Sequence, residues 1–197
     1  SLPYETSKNR FLNNTKSEKM KVIQSCNSED VWVLSYQHSS RAYIAFRITE
    51  SGVNTNPVSS SSNANYTSET GEIGQIAINK EGNKIAATFF DGRPTLGLIE
   101  VMDFNSQTGQ CTNSKRYYST FGKSVYGVAF SPNGQLLYYS ILRNSGNGLH
   151  QLNLNTSTHQ TIYFENHPDR ETASLQIGID ELIYVASDSV TASSNFF

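Results

Sequence analysis

Cysteine is nearly missing from the 197 residues, with Cys26 and Cys111 the only two. That is too few for a disulfide framework, and their separation lacks the clustered spacing of a zinc site. Two ordinary buried or half-buried thiols are the plain reading. A bond between them stays open, since nothing in the sequence fixes their distance. Charge is scarce as well: Asp, Glu, Lys and Arg make up 16%, the formal net charge is -2, and no long run carries one sign. The electrostatic footprint of a nucleic-acid binder is therefore absent. No stretch approaches the roughly 20 consecutive apolar residues that span a bilayer, so no membrane span is expected. The N-terminus has no basic segment followed by an apolar one, so the chain reads as soluble, with any export signal removed or outside it. The residues that long helices favour, Ala, Leu, Glu and Lys, are thin against Ser, Asn, Thr and Gly, a balance that suits strands and turns.

What is present is a repeated hairpin. In Tyr126-Gly127-Val128-Ala129-Phe130-Ser131-Pro132-Asn133-Gly134-Gln135-Leu136-Leu137-Tyr138-Tyr139-Ser140, two apolar runs flank a turn. Pro132 presets φ, Asn133 tolerates the next position, and Gly134 supplies a positive φ that reverses the chain. The pattern occurs upstream from Gly74 to Ala87, with Ile78 answering Phe130 and Gly82 answering Gly134. It recurs from Leu175 to Ala186, where Ile179 stands at the proline position and Glu181 at the glycine position. A weaker copy joins Val22–Cys26 to Val31–Ser35 through Asn27–Asp30. A spacing of about 50 residues belongs to blade-type arrays.

In chain order, residues 1–19 form a polar lead-in with at most a short strand near Phe11 and Leu12. The units run approximately over 20–67, 71–122, 123–167 and, incompletely, 173–197. The first has its third strand at Arg41–Ile48, where Ala42, Ile44, Phe46 and Ile48 alternate with Tyr43, Ala45 and Arg47. Ser59–Asn65 is so rich in Ser and Asn that it is expected to be a loop. The second has strands at Ile73–Asn79, Lys84–Phe90, Leu96–Phe104 and Lys115–Ser119; the third has them at Val125–Phe130, Leu136–Leu142, Gly148–Leu154 and Thr161–Phe164. The expected fold is all-β, a β-propeller of four-stranded antiparallel blades with about three and a half blades in this chain. It is either part of a larger ring or a four-bladed ring finished by the lead-in, with the part of a larger ring favoured.

Chemistry-bearing residues are sparse. His38, His150, His159 and His167 show no metal-binding spacing and are expected to be solvated. Asp169 and Glu171, with Arg170 between, read as a solvated turn. Asp91-Gly92-Arg93-Pro94 reads as a hairpin loop, at a strand end from which binding residues often project. The sequons at Asn13, Asn65 and Asn155 mark surface loops. Trp32, Tyr36, Tyr43, Tyr138, Tyr139 and Tyr184 could line a carbohydrate or peptide site, but most sit at alternating strand positions that suit packing between blades. The sequence thus assigns no catalytic residue, metal ligand or cofactor, and leaves the binding residues unknown.

The hairpins, together with Lys21–Leu34, Leu149-His150-Gln151-Leu152-Asn153-Leu154 and Leu175-Gln176-Ile177-Gly178 followed by Ile183-Tyr184-Val185-Ala186, resemble repeats of the YVTN and tryptophan-aspartate (WD40-like) type. More narrowly, the chain resembles the propeller region of secreted Bacteroidetes proteins that carry a C-terminal type IX secretion sorting domain. It departs from that pattern at Ile179 and Glu181. The resemblance covers most of 20–186 and implies a secreted or cell-surface bacterial protein. Asp188-Ser189-Val190 also looks like the short O-glycosylation pattern of that group. The function expected is a noncatalytic extracellular binding or scaffold module that engages a protein or glycan ligand, next to other blades or domains of a longer protein. The alternatives are a propeller-fold hydrolase or lactonase and a passive spacer.

Overall fold

The computed structural model describes residues 17–26, 29–64, 69–90, 97–122, 124–142, 146–167 and 170–189. Strands dominate, and no α-helix occurs among the described residues. The first sheet contains β1 (Met20–Gln24), β2 (Val31–Gln37), β3 (Ala42–Thr49), β4 (Gly52–Val53) and β5 (Val58–Ser61). The second contains β6 (Ile76–Ile78), β7 (Lys84–Phe89), β8 (Leu98–Asn105) and β9 (Gln110–Tyr118). The third contains β10 (Val125–Phe130), β11 (Leu136–Ile141), β12 (Gly148–Asn153) and β13 (Thr158–Phe164). The fourth is the hairpin β14 (Arg170–Ile177) and β15 (Ile183–Ser189). Neighbouring strands pair antiparallel in sequence order, with β4 and β5 both on β3. The first strands of successive sheets, β1, β6, β10 and β14, lie side by side. Sheets set face to face with their first strands gathered at one axis make a β-propeller.

Period-two alternation produces this stacking. Along β2, Trp32, Leu34 and Tyr36 are buried while their neighbours are half-buried. They join Ile23 and Tyr43 against Ile76, Ile85, Phe89 and Phe104 of the second sheet. The other face of the second sheet sends Ile99, Val101 and Tyr117 against Val128, Phe130, Leu137 and Tyr139 of the third. A sheet covered on both faces needs apolar side chains on both, which is why β7 reads Ile85-Ala86-Ala87-Thr88-Phe89 without polar alternation. Ile78, Phe130 and Ile177 take equivalent places, opposite Ile85, Leu137 and Ile183. The turns that follow share a left-handed residue: Gly82 at φ 69°, Gly134 at φ 67° and Glu181 at φ 64°.

Two expectations need correction. Ser59–Asn65 is not wholly a loop, because Val58–Ser61 pairs with β3 from Ala45↔Val58 to Ala42↔Ser61. Hydroxyls make this outer strand work: Ser60 is buried, and its Oγ accepts the Cys111 N–H at 2.9 Å from the second sheet. Arg170 and Glu171 belong to β14, opposite Ser189 and Asp188, not to a turn. Both cysteines are free thiols, Cys26 exposed and Cys111 buried. Burial pushes the Cys111 thiol up to about 12.

Candidate binding site at the axial mouth

Two buried hydroxyls, of Thr88 and Ser140, and the half-buried amide of Gln75 tie the inner strands together. Thr88 Oγ1 accepts the Gln75 N–H at 2.9 Å and donates to the Tyr126 carbonyl of the third sheet. Fifty-two residues on, Ser140 Oγ accepts the Gly127 N–H at 2.8 Å and donates to the Ala173 carbonyl of the fourth sheet at 2.6 Å. Gln75 then crosses the axis: its Nε2 donates to the Leu175 carbonyl at 2.6 Å, and its Oε1 accepts the N–H groups of Leu175 at 3.1 Å and Val128 at 3.3 Å. The inner strands therefore hold one another through saturated polar contacts, a rigid platform for whatever lies at their ends.

That platform carries bulges. β10 gains one residue between Val125 and Val128 relative to β11, and β14 gains one between Thr172 and Leu175 relative to β15. A bulge bends its strand and re-aims side chains. Here the extra residues turn Tyr126, Ala173 and Ser174 toward a cavity of about 360 Å³ at the end where the inner strands begin. Its remaining walls are Glu18, Ile73, Phe90, Leu142 and Glu171, so strands of the third and fourth sheets and the segments flanking β1, β6, β7 and β11 contribute. The volume falls within the range of small-ligand sites.

The Tyr126 hydroxyl shares the cavity wall with Glu18 and Ser174. Burial and the charge and hydrogen bond of Glu18 raise its pKa, while Ser174 pulls the other way. Beside Glu18, Lys19 turns inward. Its fully buried Nζ donates to the Gly71 carbonyl at 2.6 Å and the Ile73 carbonyl at 2.8 Å, over the rings of Phe89 and Tyr36. Burial brings this amine down to about 7, against the opposing pull of Glu18 and Glu72. Lys19 thus anchors the mouth from beneath and does not line it.

Other polar groups are committed to structure. Glu100, fully buried, accepts from Tyr43 Oη at 2.8 Å, Ser62 Oγ at 2.6 Å, the Asn63 N–H at 2.8 Å and Ser114 Oγ at 2.5 Å, which locks the first sheet to the second. A second cavity of about 310 Å³, between the second and third sheets, has Lys84 paired with Asp103 at 2.6 Å and Lys115 over the Tyr117 ring. His150 corrects the expectation of solvated histidines: it is 1% exposed, stacked on Phe121 and Tyr139, and its Nε2 donates to the Gly146 carbonyl at 2.8 Å. Burial lowers its pKa. It is buried because β12 places it opposite Tyr139, on the face turned to the second sheet.

Among the aromatic candidates, Trp32, Tyr36, Tyr43 and Tyr139 are buried between sheets, whereas Tyr184 is exposed. Asn155 is exposed at the β12–β13 turn. Asp91–Pro94, Asn13, Asn65, Asp169, Val190 and the lead-in strand near Phe11 and Leu12 lie outside the described residues. Glu18, Tyr126 and Glu171 were not visible as a group in the sequence. The only signal was Gly127, where a Cβ would overlap the Ala173 carbonyl, marking the close approach of two inner strands.

No family model matches the sequence, and no curated protein does. Solved structures do match the fold. The periplasmic gluconolactonase PpgL of Pseudomonas aeruginosa superposes at a TM-score of 0.55 with 13% identity, over 80% of this chain and 47% of that one. Hydrazine synthase of Kuenenia stuttgartiensis follows at 0.54 with 10% identity, over 82% and 47%. A luciferin-regenerating enzyme gives 0.50 with 11% identity, over 90% and 56%. The chain spans about half the length of these structures, and identities this low speak for the fold alone.

Proposed function

We propose that this chain forms part of a noncatalytic, ligand-binding propeller of a secreted or cell-surface bacterial protein, and that its ligand docks at the axial mouth. One observation carries the reading. The cavity is built by bulges on strands that are otherwise locked together, and it pairs apolar walls, Ile73, Phe90, Leu142 and Ala173, with the polar groups of Glu18, Tyr126, Glu171 and Ser174. Mixed, rigid concavities of this kind are where ligands bind. The surrounding face supports a protein ligand. Strands alternate in direction, so β9 and β13 end on the same side as the mouth, and there Tyr118, Tyr163 and Phe164 remain 47%, 49% and 46% exposed. Aromatic side chains of this type are favoured at protein interfaces. The bacterial, exported setting rests on the resemblance of the repeats.

The test immobilises the chain and exposes it to peptide and glycan arrays, with Ala173→Trp as a cavity-filled variant. Peptide binding that Ala173→Trp abolishes is the expected result. Binding indifferent to that variant, no binding at all, or turnover of a sugar lactone that Glu171→Gln removes would each overturn the reading, the last in favour of a hydrolase.

A further inference from the structure

We propose that His150 and His159 form an acid-opened clasp that holds β13, the outer strand of the third sheet, and with it the strand's exposed aromatic end. Little else holds this strand. No side chain along it is buried: His159 is half-buried and the other six are exposed, ending in Ile162, Tyr163 and Phe164. The corresponding strand of the second sheet, β9, is anchored by buried Cys111 and Tyr117. The ladder from β13 to β12 also slips at Ile162, because Thr161 faces His150 whereas Tyr163 faces Leu149. Such a bulge disrupts pairing locally.

Beyond the backbone ladder, two imidazoles tie β13 down. His159 Nδ1 shares a hydrogen bond of 2.8 Å with the Tyr139 hydroxyl, reaching past β12 to β11. His150 Nε2 donates to the Gly146 carbonyl, so its neutral ring accepts the Thr161 hydroxyl at Nδ1, 3.2 Å away and beside the bulge. Protonation of that ring reverses the Thr161 bond and places a charge between Phe121 and Tyr139. A proton on His159 adds a like charge on the same sheet face.

Burial lowers the pKa of both imidazoles, and the His150 charge lowers that of His159 further. Among the described residues neither has a carboxylate partner. From β11 comes Tyr139, a phenol that burial pushes up to about 12 and that stays neutral in acid. The second sheet presents Tyr117 and, beside Leu154, Lys115 and the paired Lys84 and Asp103. Past the end of β13, His167 and Arg170 act on Glu165, while Glu171 of β14 lines the axial mouth. The opened strand therefore takes up protons more readily than the clasped one. The clasp is intact above the ordinary histidine value of about 6.5 and weakens as pH falls from there through the lowered values. Opening releases Tyr163 and Phe164 from the face that carries the mouth.

Hydrogen exchange of the full chain at about pH 7.5 and about pH 5, on either side of the ordinary histidine value and corrected for intrinsic rates, is the test. Amides of β13 are expected to lose about tenfold in protection at the lower pH while those of β10 and β11 keep theirs. His159→Gln can still bond the Tyr139 hydroxyl but takes no proton, so it is expected to shrink that acid response. In the wild-type chain, NMR titration is expected to find both rings below the ordinary value, a readout that decides the matter should the variant fail to fold. Undiminished protection of β13 in acid, an equal loss in β10 and β11, an unchanged acid response in His159→Gln, or either ring titrating at or above the ordinary value each overturns the proposal.

Discussion

The joint between the second and third sheets and the joint between the third and fourth are made by different forces. The former buries a continuous apolar cluster, in which Ile99, Val101, Val128, Phe130, Leu137, Tyr139 and Ile141 interdigitate. The latter is largely a set of hydrogen bonds. Ser140 donates to the Ala173 carbonyl, Asn147 Nδ2 donates to the Arg170 carbonyl at 2.5 Å, and Thr172 Oγ1 donates to the Gly148 carbonyl at 2.9 Å. Among the described residues of the fourth hairpin, Leu175 is the one large side chain that is fully buried. Apolar burial contributes most of the stabilisation and is indifferent to direction; hydrogen bonds add little net free energy but fix register. The third sheet is therefore welded to the second and indexed to the fourth.

The largest break in this contrast comes from Leu137→Ala. Leu137 has no exposed surface and sits inside the apolar joint, so truncation costs about 2–5 kcal/mol through lost burial and a residual cavity. Urea unfolding should show the midpoint falling for the second and third sheets together. A loss confined to the third sheet would mean that the joint is not cooperative.

Gly127→Ala strikes the other joint. Its Cβ would overlap the Ala173 carbonyl and the Leu175 side chain, so β10 and β14 must separate. Overpacking of this kind costs about 1–3 kcal/mol. Hydrogen exchange should accelerate across β14 and β15 while amides of β7 and β8 keep their protection. Uniform acceleration would instead make the fourth hairpin part of the same cooperative unit.

The same contrast explains what was legible in the sequence. Hairpins announced themselves through Gly82, Gly134 and the alternation around them, because turn chemistry and side-chain period are local properties. Hence Val125–Phe130 was readable to the residue. The outer strand β5 was not, since Val58-Ser59-Ser60-Ser61 pairs through backbone and a buried hydroxyl, leaving no hydrophobic signature. Nor could the Thr88 and Ser140 contacts be read, for each matters only through the carbonyl of the following sheet. The mouth was the least legible part. Glu18, Tyr126 and Glu171 are far apart in the chain, and the bulge that turns Tyr126 toward the cavity leaves no mark on residue type.

The smallest effect is the most discriminating test of how the fourth hairpin is held. Glu181 adopts φ 64° where its counterparts are glycines at 69° and 67°, a conformation that crowds a Cβ. It also pairs with Lys80 in the turn of the second sheet, both side chains being more than half exposed. If backbone strain outweighs that exposed pair, Glu181→Gly stabilises the chain by about 0.5–1 kcal/mol, part of the relief being offset by the greater freedom of glycine when unfolded. Gly134→Glu is the mirror experiment. A Cβ there meets nothing closer than 3.7 Å, so its cost, about 1 kcal/mol, is backbone alone. Lys80→Met separates the two contributions. An unchanged unfolding midpoint assigns the turn to backbone geometry, whereas a drop in both Lys80→Met and Glu181→Gly assigns it to the ion pair and makes that contact a third tie, from the second sheet to the fourth.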